Sequence, residues 1–168
     1  MEDNDLNNGD DNKGKKESVW DYPRPPRVEK TSKHIKVIFA GKVIAETNRA
    51  HRVLETSHPP TYYIPPEDVC FDYLSLTNGQ SVCEYKGLAS YYNLKVDQRS
   101  SKNAAWSYPT PNTGYEVLKD HLAFYPNKVD ECYVDGEKVI SQRGDFYGGW
   151  ITSDIVGPFK GPRGTEGW

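Results

Sequence analysis

A chain of 168 residues is long enough for one sizeable core and too short for two ordinary domains. Its formal charge of −3 gives no basic footprint for nucleic acid, and no apolar run approaches the length that spans a bilayer. The N-terminus lacks the charged-then-apolar pattern of an export signal, and Cys70, Cys83 and Cys132 are odd in number and widely spaced; both features fit a reduced, cytoplasmic protein.

Residues 1–17 are almost wholly Asp, Asn, Glu, Lys and Gly, and are expected to form a disordered polar tail, since they offer too little apolar surface to offset the entropy of ordering. A single all-β domain is expected over 18–168. Aromatic residues at 12%, with 12 Pro and 14 Gly spread along the chain, favour short strands over long helices. The lead-in Trp20-Asp-Tyr-Pro-Arg-Pro-Pro-Arg27 reads as extended, with Trp20 and Tyr22 fixing it to the domain. The same stretch is a candidate proline-rich ligand for a protein partner.

Ile35–Ala40 and Lys42–Glu46 form a predicted hairpin around Gly41. Ala50–Thr56 reads as a third strand, with Arg49, His51, Val53 and Glu55 on one face and Ala50, Arg52 and Leu54 on the other. Pro65–Val69 can open a helical turn, because Pro is tolerated at the first helical position. A second short turn is expected within Asn112–Lys119.

Between them, Ser81–Pro109 reads as three consecutive strands. Alternation places Val82, Glu84 and Lys86 on one side of the first strand and Ser81, Cys83 and Tyr85 on the other. Gly87 then reads as a bulge. His121–Tyr125 is a further strand, and Asp135-Gly136 marks a hairpin between Glu131–Val134 and Glu137–Ile140. The closing segment 144–168 is rich in Gly and aromatic residues. Phe146, Tyr147, Trp150 and Phe159 are expected to be buried as it wraps the core. The total is about eight to ten short strands in a tent- or sandwich-like domain, with one or two helical turns.

No complete catalytic motif is present. The chain has no Gly-Ser pair for nucleotidyl transfer and no Gly-X4-Gly-Lys-Ser/Thr phosphate loop, and nothing in it calls for a cofactor. Three isolated cysteines and four histidines contain no Cys-X-X-Cys knuckle, so no bound metal is expected. Cys83 qualifies as a nucleophile only with a cation beside it, and strand alternation puts Lys86 on the opposite face. Glu84 and Lys86 read either as a solvated surface pair or as the charged lining of a cleft walled by Tyr91 and Trp106. In the second reading a small polar or aromatic molecule is the partner. A second set is Arg49 and Glu55, on one face of the third strand, with His58 just beyond it; Glu55, His58 and Lys86 are the candidate acid–base groups should the cleft be catalytic.

Five stretches carry a resemblance: Arg52–Val69, Cys83–Tyr92, Ala105–Pro109, Ala123–Tyr125 and Gly148–Thr152. Through them the chain resembles domain-of-unknown-function family 427 across nearly all of 18–168. The resemblance implies an all-β tent of the kind shared with zinc-containing Mss4-like proteins. It implies no specific chemistry beyond a nucleotidyltransferase-like label, which the motifs above do not support.

Overall fold

The computed structural model describes residues 15–144 and 146–168. The first fourteen residues of the expected polar tail therefore lie outside the described residues. The described strands are β1 (Glu17–Ser18), β2 (Arg27–Lys30), β3 (Ile35–Phe39), β4 (Lys42–Thr47), β5 (His51–Leu54) and β6 (Thr61–Tyr63). The long β7 (Leu74–Cys83), β8 (Gly87–Val96) and β9 (Arg99–Ser107) follow. The rest are β10 (Ala123–Phe124), β11 (Glu131–Val134), β12 (Glu137–Lys138), β13 (Ile140–Ser141), β14 (Trp150–Ile151) and β15 (Ile155–Val156). The fold is all-β. Its helical content among the described residues is five single 3-10 turns, two of which, Pro66–Asp68 and Glu116–Leu118, fall at the predicted places.

Two four-stranded sheets, β12-β11-β3-β4 and β10-β9-β8-β7, and one three-stranded sheet, β2-β5-β6, make up the body. The two predicted hairpins have turns of the kind that right-twisted strands require. Ala40 and Gly41 have φ of 51° and 75°, and Asp135 and Gly136 have 48° and 82°.

Side-chain alternation along three strands sorts the interior into two main cores. Tyr62, Ala105 and Phe124 join Ile35, Val37, Ile44, Leu94 and Trp150 in one core. Their chain neighbours Tyr63, Trp106 and Tyr125 turn the other way and join Val53, Tyr108 and Ala123 in the second. Trp150 is fully buried; its indole Nε1–H donates to the Phe124 carbonyl at 3.0 Å, and its ring lies 5.1 Å from that of Tyr62.

The lead-in is committed to the chain itself. Ser57 donates its backbone N–H to the Val19 carbonyl, Trp20 Nε1–H donates to Pro158, and Tyr22 packs in a third core with Leu54 and Ile155. Glu17, counted with the polar tail in the sequence, is instead built into the fold. It pairs in β1 with Ile155 of β15 and accepts from Arg52 at 2.7 and 2.9 Å and from the Tyr22 hydroxyl at 2.6 Å. Arg52 also donates to Glu29 at 2.6 Å, so a cation whose side chain is only 11% exposed is answered by two carboxylates. The Arg52→Met variant leaves both carboxylates without their partner. We expect it to lose about 1.5–3 kcal/mol, the worth of charged hydrogen bonds, in urea unfolding.

The closing segment wraps the core, but not with all four of its aromatics. Phe146 is 69% exposed, against the expectation of burial, and Tyr147 and Phe159 are half-buried; Trp150 alone goes fully inside. Space explains the glycines just before it. A Cβ on Gly148 would lie 2.3 Å from the Trp106 ring, and one on Gly149 would lie 2.5 Å from Gln142 Oε1. Gly148→Ala should therefore cost about 1–3 kcal/mol in unfolding free energy, the range for overpacking a filled core. An unchanged midpoint and slope would show that Trp106 is free to move.

A candidate ligand cleft

The second core is open on one side. A cleft of about 360 Å³ lies there, within the size range of small-molecule sites. Its aromatic walls come from β6, β8, β9 and the residues that follow β9 and β10. Trp106 Nε1–H donates to the Tyr63 hydroxyl at 3.3 Å, and the Trp106 and Tyr125 rings sit 4.4 Å apart. Tyr91 faces Trp106 directly across β8 and β9, and its hydroxyl meets Ser81 Oγ at 2.7 Å. Burial pushes the phenols of Tyr63, Tyr108 and Tyr125 well above their ordinary range, so they are neutral hydrogen-bonding groups at pH 7.

The floor corrects the sequence reading of the first central strand. β7 ends at Cys83, and Glu84-Tyr85-Lys86 forms a turn rather than continuing the alternation. Gly87 is the reason: its φ of +112° closes the turn and starts β8. The Lys86 N–H donates to Cys83 Sγ at 3.4 Å, and its carbonyl accepts from Asn112 N–H at 2.9 Å. Cys83 and Lys86 therefore line the same cleft instead of facing apart. Glu84 and Lys86, expected to share a face, are separated in depth: Glu84 is exposed and Lys86 is only 9% exposed.

Lys86 is the unusual group. Its Nζ lies 5.9 Å from the centre of the Tyr108 ring, and among the described residues it enters no ion pair. Burial, the largest influence, pulls its pKa down; Tyr108, Cys83 and Glu55 together outweigh this and hold it above the ordinary value. Since Tyr108 is neutral at pH 7, Glu55 is the carboxylate that acts on a charged Lys86 there, from beyond ion-pair distance. Glu55 itself sits 3.7 Å from Arg24.

His58 follows Glu55 at the end of the turn after β5. Its Nδ1 lies 3.2 Å from Gln142 Nε2, and its ring lies 5.2 Å from that of Tyr147. Burial first, then Lys160, Arg24 and Lys86, pushes its pKa down to about 4. The imidazole is thus neutral at pH 7 and accepts the Gln142 amide hydrogen at Nδ1.

The cleft brings together Glu55, His58, Glu84, Lys86, Tyr91 and Trp106, six of the residues singled out in the sequence. Arg49 is not among them. It lies at a second cavity of about 660 Å³, where it donates to Asp68 at 3.0 and 3.1 Å and sits 3.7 Å from Glu67. The alternation that put Arg49 and Glu55 on one face fails because β5 covers only His51–Leu54. That second cavity also holds His51, packed 5.4 Å from the His121 ring. His51 and His58 do not meet.

Sequence reasoning missed Tyr63, Tyr108, Tyr125, Gln142 and Lys160. Only the run of aromatics hinted at the first three. Gln142 and Lys160 reach the cleft through the closing segment, where Gln142 donates to the Lys160 carbonyl at 2.7 Å and accepts from Gly149 N–H at 3.1 Å.

A zinc site of the tent type does not fit these residues. Cys70, Cys83 and Cys132 are unpaired, Cys132 is buried with its thiol pKa raised by that burial, and no three His, Cys, Asp or Glu side chains converge among the described residues. Nor is any helix among them long and apolar enough to cross a membrane.

The depressed His58 pKa has a thermodynamic consequence. A histidine neutral in the folded state takes up a proton on unfolding, so acid favours the unfolded chain. Its contribution is complete above pH 6.5 and is lost as pH falls from 6.5 toward 4. Urea unfolding at pH 7 and pH 4.5 should show the native chain losing about 1–2 kcal/mol more than His58→Gln, a figure discounted for partial solvent access. Parallel losses would mean that His58 is solvated like a free histidine.

The comparisons with known proteins bear on lineage rather than chemistry. No curated protein matches the chain. The profile of a domain of unknown function, DUF427, matches residues 27–135. That span includes β2 to β11 and the cleft floor, and leaves out Gly148–Thr152 and the rest of the closing segment. The chain belongs to the DUF427 family.

Proposed function

We propose that the protein binds a small planar molecule bearing a polar group in the cleft between β6, β8 and β9. The observation that carries this reading is the buried Lys86, which has no ion-pair partner among the described residues and lines an aromatic-walled cavity. A planar ligand would stack on Trp106, Tyr63 and Tyr125, and Lys86 with Glu84 at the rim would set its orientation. The three cysteines, none in a disulfide, favour a reducing, cytoplasmic setting.

The competing reading is an enzyme using Glu55, His58 and Lys86, which share the cleft. Binding is favoured because a general base works best with a pKa near the working pH, and His58 lies well below it. The proline-rich lead-in is a weaker candidate for a protein partner, since Trp20 and Tyr22 are already engaged by the chain itself.

A thermal-shift screen of a metabolite library, followed by titration of each hit, tests the proposal. Lys86→Met keeps the stem and deletes the charge, so its stability should stay within about 1 kcal/mol of native. Affinity for a true ligand should fall by about 1.5–3 kcal/mol, the worth of a desolvated charged contact. Unchanged affinity with unchanged stability would move the site away from Lys86. Conversion of a hit into product would favour the enzyme.

A further inference from the structure

Resting on that reading of the cleft, the charge distribution says more about what enters it. We infer that the ligand carries an anionic group, a carboxylate or a phosphate, on its planar body, and that this group sits against Lys86. A lysine with about nine-tenths of its surface removed from water keeps its ammonium in a poorly hydrated place, and protein interiors answer such a charge with a counter-charge. Arg52 shows the usual solution in this same molecule, with Glu17 and Glu29 both within 2.9 Å. Among the described residues Lys86 has no equivalent.

The two carboxylates that line the cleft supply no counter-charge within ion-pair distance, Glu55 acting on Lys86 only from farther away. Glu55 is shared with Arg24 at 3.7 Å, and Glu84 is exposed at the rim. The Tyr108 ring face offers a weak cation–π contact at 5.9 Å, which is not a counter-ion. The remaining charge on the wall has the same sign: Lys160 Nζ lies 5.7 Å from the Tyr147 ring centre. His58 is neutral and adds no negative charge.

The same arrangement excludes the other obvious guest. Aromatic walls alone would suit a quaternary ammonium, which binds over ring faces. A lysine on the floor repels such a cation at close range. The walls therefore serve the flat body of the ligand, and the floor serves its acidic group.

Matched probes test the inference without knowledge of the natural ligand: phenylacetate, phenylacetamide and phenethylamine, with phenyl phosphate beside them. Each is titrated into the full chain and followed by amide shifts of the residues lining the cleft. An acid is expected to bind at least tenfold more tightly than the amide, and the amine most weakly. Whichever of phenylacetate and phenyl phosphate binds more tightly names the anion. In Lys86→Met the acid–amide ratio should collapse to about one; Lys86→Arg should restore the preference. If amide or amine binds native protein as well as the acids do, the inference is overturned while the cleft remains a binding site. If no probe of any charge shifts the cleft resonances, the binding reading fails, and the inference with it. The acid–amide ratio on native protein decides the matter even if a variant does not fold.

Discussion

Three short stretches buried on both faces hold this fold together. β6, the end of β9, and β10 with the residue after it each give successive residues to opposite cores: Tyr62 and Tyr63, Ala105 and Trp106, Phe124 and Tyr125. Neither core can be repacked without displacing the other, because the same backbone serves both. The closing segment obeys the same rule within three residues. Gly148 lies against Trp106 in one core, and Trp150 fills the other. The glycines are therefore the clearance that lets the Trp106 indole approach Gly148, and Gln142 and Pro59 approach Gly149.

This two-faced burial also ties the cleft walls to the main core. Trp106 and Tyr63 line a solvent-facing opening, yet the backbone behind them is fixed by the main core. Two cations of the molecule are treated in opposite ways on the same scaffold. Arg52 is saturated by carboxylates and ties β1 to β2 and β5, whereas Lys86 is isolated by carboxylates that are engaged or solvated elsewhere. The first arrangement is structural. The second leaves Lys86 lining an open cleft with no ion-pair partner among the described residues.

Much of the architecture was legible in the sequence because its signals are local. Asp135-Gly136 and Gly41 signal hairpins that form with positive φ in their turns, and Tyr91 and Trp106, expected as walls of one cleft, face each other across β8 and β9. Failures came where alternation continued past the end of a strand. Glu84-Tyr85-Lys86 keeps the period of two, yet Gly87 closes a turn there, which reverses the inferred relation of Cys83 to Lys86. Arg49 was grouped with Glu55 by the same extrapolation beyond Leu54. Gln142 and Lys160 could not be placed at all, since nothing local in the sequence encodes a contact across 84 positions such as Gln142 with His58. Phe146 was expected inside by composition alone; its neighbours Gly148 to Trp150 occupy the available interior, and it is left outside.

The turn at the cleft floor is held by its main chain. Cys83 Sγ takes the Lys86 N–H, Asn112 N–H takes the Lys86 carbonyl, and the Asn112 side-chain amide takes the Tyr85 carbonyl. No side-chain atom of Lys86 is needed to shape the loop. Position 86 is in this sense an interchangeable fitting: its chemistry can be rewritten while the surrounding frame stays in register. Related sequences that share the frame but differ at this one position would then present the same aromatic walls to guests of different charge, and one residue would sort their ligand preferences.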